Sequence, residues 1–597
     1  MFHGWRIIQF TQSQKCTITF KLPYNNRVGA LLKTLVAGFS RLSRRGRRSI
    51  IFYGFSLVAL AGIDGIGLVL LSRLVTLSGQ NETTDDLDKG LATLLAGIVI
   101  LFISRSILSI FVSWKGMKDL SKEEILIGQQ NLYHLDSMPW SERKSLSINE
   151  YYSAVDRGPY SLVQGLLVTF TTLVAEMLSA LVILLVLLTM QPTTAITAIV
   201  FFASIAVLQH RILSVSASRA GSLVASKYSS VYELLSNKAD LGKILQVMPS
   251  HSYYQSLHAE RTELAGSRAR LNFLAALPRY FMEAMLVLGF VVVALSTYVF
   301  EGSEQILDAL IIFAAAGFRL LPIVNRIQGL ILHLFGTAPL AIEAIVDEPL
   351  TNSVKKLSTI NPNPDLGEVL LMATDVGFSH GGENEFSLDS ISLSLVKGKH
   401  YAIVGPSGAG KTTLVDLILG ILEPTKGNME RSSGVTFSYV PQETRIFSGS
   451  LFQNIALEWN DENVNSEKAR NALRQARFPE SILSSQAFSG KTLSLSGGEA
   501  QRLGLARALY RDADVLILDE TTSALDSITE HEVMQAVKTI DKSKTVLVIA
   551  HRLSTIKDSD EIIFMDSGRI LAIAPFEELR EIVPKFEELI SLNTLEN

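Results

Sequence analysis

The sequence predicts a multidomain chain: an α-helical transmembrane domain with six spans, followed by an α/β domain with a mostly parallel sheet. Composition supports the first part, because only 19% of the 597 residues are charged while 48% are hydrophobic, less charge than a soluble protein normally carries. The order of the apolar segments supports both parts. Long apolar runs fill the first half of the chain, and short apolar runs alternate with helical segments in the second half.

Six apolar segments of the first half are each long enough to cross the bilayer core, which takes roughly 20 residues. They lie near 50–77, 91–114, 161–190, 194–213, 277–300 and 306–334. The inner connections, 115–160 and 214–272, are long and carry Lys and Arg, whereas the outer ones are short. We read the inner connections as helical extensions of the spans, each pair joined by a short helix. This alternation follows the positive-inside rule.

The basic run at 44–48 directly precedes the first span and places the N-terminus in the cytoplasm. An amphipathic helix is expected just before it. Four prolines among polar residues mark a linker after the last span. The predicted domains are 1–48 (cytoplasmic segment and amphipathic helix), 49–335 (transmembrane domain), 336–366 (linker) and 367–597 (α/β domain).

Four arginines lie within or at the edge of the predicted spans: Arg105, Arg279, Arg319 and Arg326. An arginine at mid-bilayer costs at least about 2.5–3.5 kcal/mol, so these side chains should face the bundle interior or a wet cavity. A guanidinium matches the geometry of phosphate. We therefore expect a cavity of net positive charge that receives an anionic cargo.

Internal ion pairing is the alternative explanation for the same arginines. Arg279 and Glu283 are spaced i,i+4 and can neutralise each other. Glu176 can pair with Arg105. Two further carboxylates in the predicted spans, Asp64 and Asp308, narrow the excess of positive charge.

The stretch GPSGAGKTT at 405–413 follows an apolar run and precedes an apolar helix. It fits G-x-x-x-x-G-K-[ST], a loop whose backbone N–H groups surround phosphate oxygens at a helix N-terminus. Lys411 is expected to reach the outer phosphates, and the Thr412 hydroxyl to hold Mg²⁺. The predicted nucleotide contacts of this loop are Gly405, Pro406, Ser407, Gly408, Ala409, Gly410, Lys411, Thr412 and Thr413.

Further motifs follow the phosphate loop in a definite order. Gln442 follows a strand-like run at 435–440, and Leu-Ser-Gly-Gly-Glu at 495–499 precedes a helix at 500–510. A buried strand at 515–518 ends in Asp519-Glu520, Ser-Ala-Leu-Asp follows at 523–526, and a strand at 545–549 ends at Ala550-His551. This order resembles the ATP-binding cassette family. Six spans followed by one cassette resemble an exporter-type half-transporter.

The resemblance implies ATP and Mg²⁺ as cofactors and gives roles to five residues. Asp519 would hold Mg²⁺, and Glu520 would be the general base that orients the attacking water. Gln442 would sense Mg²⁺ and water, and His551 would contact the γ-phosphate. Asp526 would organise the nucleotide site of a partner chain.

The resemblance also implies a dimer. Ser496, Gly497 and Gly498 would cap the nucleotide that a second copy binds, and the intact motifs favour a homodimer over a heterodimer. Three features depart from the family pattern. His380 stands where an aromatic residue usually stacks on adenine, the stretch 484–494 is short, and Glu499 replaces the usual Gln.

The membrane motifs resemble bacterial flippases of lipid-linked oligosaccharides. The resemblance rests on Ala-Leu-Pro-Arg at 276–279, on Phe-Arg-Leu-Leu-Pro-x-x-Asn-Arg at 318–326, and on Arg105. It implies ATP-driven movement of a pyrophosphate-linked amphiphile across the cytoplasmic membrane of a bacterium. Export of a peptide or another lipid is an alternative, and an ATP-binding regulatory membrane protein that does not pump is a third reading. The net charge of −4 argues against a nucleic-acid partner.

Overall fold

The computed structural model describes most of the chain after its first 23 residues. The described residues are 24–78, 85–144, 146–190, 192–248, 250–300, 302–303, 306–342, 344, 361–363, 366–379, 386–479, 495–519, 535, 543–550 and 556–595. The chain divides into two compact units. The first comprises Met1–Asp136 and Ser145–Asn352, and the second comprises Ser137–Lys144 and Ser353–Asn597.

The described residues up to 342 form helices with short connections. In chain order these are α1 (Tyr24–Arg41), α2 (Arg44–Ser78), α3 (Asp85–Ser137), α4 (Trp140–Arg143), α5 (Ile148–Tyr152), α6 (Gly158–Tyr160), α7 (Thr169–Met190), α8 (Pro192–Asp240), α9 (Gly242–Val247), α10 (His251–Phe300) and α11 (Ile306–Ile342). Two π-helical segments, Ser153–Arg157 and Ser161–Val168, join α5, α6 and α7 into one helical run. The predicted amphipathic helix before the first span is present as α1.

Five helices of the described part are long and apolar enough to cross a membrane, and they coincide with five of the six predicted spans. The fourth predicted span falls in α8, whose described apolar stretch Ala195–Gln209 is shorter. Helix α3 has 53 residues, about 80 Å at 1.5 Å per residue, which far exceeds the roughly 30 Å bilayer core. The predicted helical extensions of the spans are therefore present, with the short helices α4, α5 and α9 in the connections.

Helix α11 continues to Ile342, so the start of the predicted linker is helical. Pro322 and Pro339 lie inside this helix. Proline removes one backbone donor, and neighbouring helices compensate for that loss in membrane bundles. Pro339 therefore does not end the last helix, although the sequence analysis placed it in the linker.

Buried polar contacts tie the helices of the first unit together. Glu123 on α3 accepts hydrogen bonds from the backbone N–H and hydroxyl of Ser43, at 2.8 and 2.6 Å, where α2 begins. The buried Asn131 amide donates to the Ala154 and Ala344 carbonyls at 2.8 and 3.0 Å. Apolar side chains such as Leu120 fill the space between these contacts.

The described residues of the second unit form two sheets. The strands are β1 (Asn361–Asn363), β2 (Val369–Ser379), β3 (Phe386–Val396), β4 (His400–Val404), β5 (Lys426–Ser432), β6 (Phe437–Val440), β7 (Val515–Asp519), β8 (Thr545–Ile549), β9 (Glu561–Asp566) and β10 (Arg569–Ala574). The helices are α12 (Lys411–Leu419), α13 (Leu451–Ala456), α14 (Ser466–Gln475), α15 (Gly497–Arg511), α16 (Phe576–Ile582) and α17 (Pro584–Leu595). The smaller sheet has the order β1-β5-β2-β3, and the larger has β10-β9-β4-β8-β7-β6.

The larger sheet is parallel except for the edge strand β10. Every residue of β7 and β8 is buried, as expected for a parallel sheet covered on both faces. The register pairs Ile403 with Ile549 and Val440 with Leu518. The carboxyl ends of β4, β6, β7 and β8 therefore lie along one edge, where ligands of such sheets bind. The predicted mixed α/β domain is confirmed.

Candidate nucleotide-binding site

The phosphate loop connects β4 to α12. Gly408 and Gly410 have φ angles of 80° and 94°, in the left-handed region that glycine adopts without strain. A Cβ on Gly405 would overlap the Met565 carbonyl oxygen of β9. The glycines therefore permit both the loop conformation and its close approach to the neighbouring strand, and they leave backbone N–H groups at the start of α12.

Lys411 is the first residue of α12 and is buried. Its ammonium donates hydrogen bonds to the Gly405 and Pro406 carbonyls at 2.7 and 3.0 Å. It thus lies over the loop at the positive end of a helix, where an anion is favoured. Thr412, the next residue, is exposed. The roles of both residues toward phosphate and Mg²⁺ stay predictions.

Asp519 ends β7 and is buried. The Tyr439 hydroxyl on the adjacent strand β6 donates a hydrogen bond to Asp519 Oδ2 at 2.8 Å. Burial, and next the hydrogen bond to Asp519, raise the pKa of Tyr439, so it stays protonated and remains a donor. Sequence reasoning missed Tyr439. Its position at the end of the strand that leads into Gln442 was the available signal.

The side chains predicted to hold Mg²⁺ follow β4 and β6 or end β7, strands whose carboxyl ends share this edge of the sheet. The hydroxyl of Thr412, the amide oxygen of the exposed Gln442 and the carboxylate of Asp519 are hard oxygen ligands of the kind Mg²⁺ prefers. Neighbouring parallel strands are about 4.8 Å apart, so the ends of β4 and β7 are separated by roughly 10 Å, close enough for one nucleotide to reach both. The residues present fit the ion.

Helix α15 begins at Gly497, three residues earlier than predicted, because Ser496 caps it. The Ser496 hydroxyl accepts from the Glu499 N–H at 3.4 Å, and Glu499 Oε2 accepts from the Ser496 N–H at 2.7 Å. This reciprocal pair is a capping box. Glu499, a departure from the family pattern, is therefore a helix-capping residue here. Gly498 lies in the first turn of the same helix.

Residues 388–523 match the ABC transporter family. This segment holds the phosphate loop, the capped helix α15 and the strand that ends in Asp519. The second unit therefore contains an ATP-binding cassette of the ABC transporter family.

Both units of the chain take part in a similarity of fold to a bacterial Atm1-family ABC exporter with ATP bound. The TM-score is 0.68, the sequence identity is 19%, and the similarity covers 92% of this chain and 98% of that chain. The chain thus has the exporter fold, a helical transmembrane domain followed by the ABC cassette.

Curated relatives align with about a third of the chain. ATP-dependent lipid A-core flippases of Ralstonia nicotianae and Paraburkholderia xenovorans are 37% and 38% identical over 34% of this chain. The flippase of Cupriavidus metallidurans is 34% identical over 41% of this chain. The alignments span only 37% to 43% of the length of these relatives.

Arg507 is a second residue of the ABC cassette that sequence reasoning missed. Its guanidinium, on α15, donates to the Arg445 and Asn454 carbonyls at 2.7 Å each and to Asn454 Oδ1 at 3.1 Å. These contacts hold the segment after Gln442 against α15. A residue 62 positions from its partner in sequence gives no local pattern.

Other predicted site residues of the ABC cassette lie outside the described residues. They are His380, Glu520, Asp526 and His551, together with the shortened stretch 484–494. Their roles stay predictions. The described strands β7 and β8 end next to Glu520 and shortly before His551, respectively.

Three of the four arginines in the predicted spans have described side chains, and each of the three pairs with a carboxylate. Arg279 Nε lies 2.9 Å from Glu283 Oε1, as the i,i+4 spacing indicated. Arg105 Nη2 lies 2.7 Å from Asp64 Oδ2, however, and not against Glu176. The side chain of Arg319 lies outside the described part of the chain.

Glu176 pairs instead with Arg326. The guanidinium of Arg326 contacts both carboxylate oxygens, at 2.9 and 3.2 Å. Packing of α11 on α7 permits this two-point contact, and such a contact is stronger than a single one. Each arginine of the set whose side chain is described thus has a carboxylate partner, so these pairs contribute no net charge. These three pairs therefore do not supply the excess of positive charge that the sequence analysis expected.

Proposed function

We propose that two copies of this chain form an ATP-hydrolysing exporter that moves an anionic amphiphile across the cytoplasmic membrane of a bacterium. The phosphate loop carries the proposal: its glycines, the N-terminus of α12 and Lys411 form a phosphate-binding arrangement in a chain with the exporter fold. The helices long enough to span a bilayer supply the route for a cargo.

Each site residue of the cassette has its own role in ATP binding and hydrolysis. Backbone N–H groups of the loop bind phosphate oxygens, and Lys411 moves from the loop carbonyls to the outer phosphates. Thr412, Asp519 and Gln442 would hold Mg²⁺, which neutralises charge on the phosphates. Glu520 orients the attacking water, and His551 contacts the γ-phosphate. Tyr439 keeps the Asp519 carboxylate in position.

The second copy completes each nucleotide site. The N-terminus of α15, from Ser496 to Gly498, presents backbone N–H groups suited to phosphate. We assign them to the nucleotide that the partner binds, with Asp526 supporting the same interface. ATP binding then brings two cassettes together, and hydrolysis releases them.

The cargo we propose is a lipid-linked oligosaccharide with a pyrophosphate linkage. Arg105, Arg279, Arg319 and Arg326 are its candidate contacts, since guanidinium groups bind phosphate at two points. Relatives named lipid A-core flippases favour a lipid as the cargo.

ATPase measurements on the purified protein in lipid nanodiscs test this function. Lipid-linked pyrophosphate oligosaccharides should stimulate turnover several-fold, and peptides should not. Glu520→Gln should abolish turnover while ATP still binds, since only the group that orients water is changed. Stimulation by peptides alone would overturn the cargo, and turnover by a strictly monomeric protein would overturn the dimer.

A further inference from the structure

Two glutamines lie in the interior of the helix bundle without hydrogen-bond partners among the described residues. They are Gln209 on α8 and Gln328 on α11, which are 6% and 7% exposed. Neither the amide nitrogen nor the amide oxygen of either side chain is hydrogen-bonded. A buried polar group that makes no hydrogen bond costs free energy. This packing of the helices is therefore penalised at both positions.

The two glutamines occupy one layer of the bundle. Each stands four residues from a member of one apolar cluster and four residues from a member of another. These members are Ile205 and Leu213 on α8, and Val324 and Leu332 on α11. Four residues are about one helical turn, so each glutamine shares a helix face with its apolar neighbours. Because α8 packs on α11, both amides lie between the same two clusters.

Helix α10 contributes a proline to the same layer. Pro278 is buried inside this helix and stands four residues from the cluster members Leu274 and Met282. Proline has no N–H, so the Leu274 carbonyl lacks the donor that an uninterrupted helix supplies. Sharp kinks in helices are typically found at proline. We call Gln209, Gln328 and Pro278 the polar layer: it joins two unpaired amides to a position where α10 can bend.

We propose that the polar layer is a hydrogen-bond switch between two packings of α8, α10 and α11. The amides of Gln209 and Gln328 are unpaired in the packing described here, and they bond to each other in the second packing. Glutamine side chains form such bonds across helices in membranes, and each amide has both donors and an acceptor. Bending of α10 at Pro278 provides the shift that brings them together.

The switch brings the two packings closer in free energy, because the penalty of the unpaired amides is present in only one of them. A transport cycle needs two packings that differ little in free energy, so that a ligand can select between them. The inference rests on the proposed function in one respect: ATP is the ligand that selects. It adds the contact that distinguishes the two packings.

Shape-matched substitutions test the switch, because methionine is unbranched like glutamine and has no amide. Melting temperatures are measured for the full-length protein in lipid nanodiscs. All variants carry Glu520→Gln, so that ATP and Mg²⁺ bind without turnover, and each is measured with and without them. In the nucleotide state with unpaired amides, Gln209→Met and Gln328→Met should each raise the melting temperature by about 2–4 °C. In the other state each should lower it, because the remaining amide loses its partner.

The double variant and a control complete the test. Gln209→Met combined with Gln328→Met removes both amides together, so in the paired state it should melt close to the background protein. Asn131→Leu is the matched control, since this buried amide donates to the Ala154 and Ala344 carbonyls. It should lower the melting temperature in both nucleotide states. If one glutamine variant fails to fold, the other still shows whether the sign changes.

The sign of the effect decides the inference. Opposite signs in the two nucleotide states support the switch. The same sign in both states overturns it, whether the amides hold water in each state or only fill space. The proposed function fails by a different observation, the absence of ATP turnover in the wild type. That result leaves the comparison of signs intact as long as ATP binds.

Discussion

The phosphate loop and the ion pairs of the transmembrane helices both hold buried or partly buried cations, and they are built in different ways. In the loop, Lys411 bonds to a carbonyl only 6 residues away. In the helix bundle, Arg105 and Arg326 pair with carboxylates 41 and 150 residues away. A local arrangement can be recognised as a motif, whereas a distant pair depends on which helices pack together. The structure of this protein therefore contains contacts of both kinds, and substitutions can compare them.

The largest effect on ATP binding is expected at Gly405, where the phosphate loop packs against the distant residue Met565. Gly405→Ala places a methyl group on the Met565 carbonyl oxygen, which is backbone and cannot move aside. We expect loss of detectable ATP binding and a lower melting temperature. Gly266→Ala, on α10 with no neighbouring atom within 4 Å of the added carbon, is the control and should be neutral. Normal ATP affinity in Gly405→Ala would show that the loop is locally determined after all.

A distant contact within the cassette comes second. Arg507→Ala removes three hydrogen bonds to the segment after Gln442. Hydrogen bonds to charged groups contribute about 1.5–3 kcal/mol each, and partial replacement by water leaves an expected loss of about 3 kcal/mol in the free energy of unfolding. Denaturant unfolding measures it. Arg511→Ala, at the exposed end of the same helix, should change stability by a few tenths of a kcal/mol at most. Equal effects of the two variants would contradict this account.

A smaller, more specific effect is expected at Tyr439, which lies 80 residues from Asp519. In Tyr439→Phe, the apparent affinity for Mg²⁺, measured from ATPase activity, should fall severalfold. The affinity for ATP without Mg²⁺ should be nearly unchanged. Because burial raises the pKa of Tyr439 above its ordinary value near 10, its hydrogen bond is present below pH 10 and is lost only as the pH rises through the raised pKa. Wild type and variant should therefore differ by a constant factor from pH 6 to 9. A difference that varies with pH in that range would argue against this role.

The smallest effect is expected for the local capping box. Glu499→Ala removes one of its two hydrogen bonds and should cost about 0.5–1 kcal/mol of unfolding free energy. Glu499→Gln retains an acceptor and should be close to neutral. Thermal unfolding of both variants checks this. A cost in Glu499→Ala larger than that in Arg507→Ala would reverse the ranking of distant over local contacts.

Patterns within short stretches of the sequence were enough to predict most of the architecture. Hydropathy over about 20 residues located the spans, since the bilayer sets their length. The run from Tyr401 to Thr413 predicted a strand, a glycine turn and a helix, because phosphate binding by backbone requires that order. The buried strand that ends in Asp519 was predicted from its short, continuous apolar run.

Tertiary structure alone decided which distant groups meet. Three contacts depend on packing between elements far apart in sequence. They are the ion pair of Glu176 with Arg326, the hydrogen bond from Tyr439 to Asp519, and the hydrogen bonds from Arg507 to the segment after Gln442. The sequence shows that a charged side chain within a span needs a partner of opposite charge. It does not specify that partner when several carboxylates lie at similar depths in the helix bundle. Helix packing makes that choice, and here it gives Asp64 to Arg105 and Glu176 to Arg326.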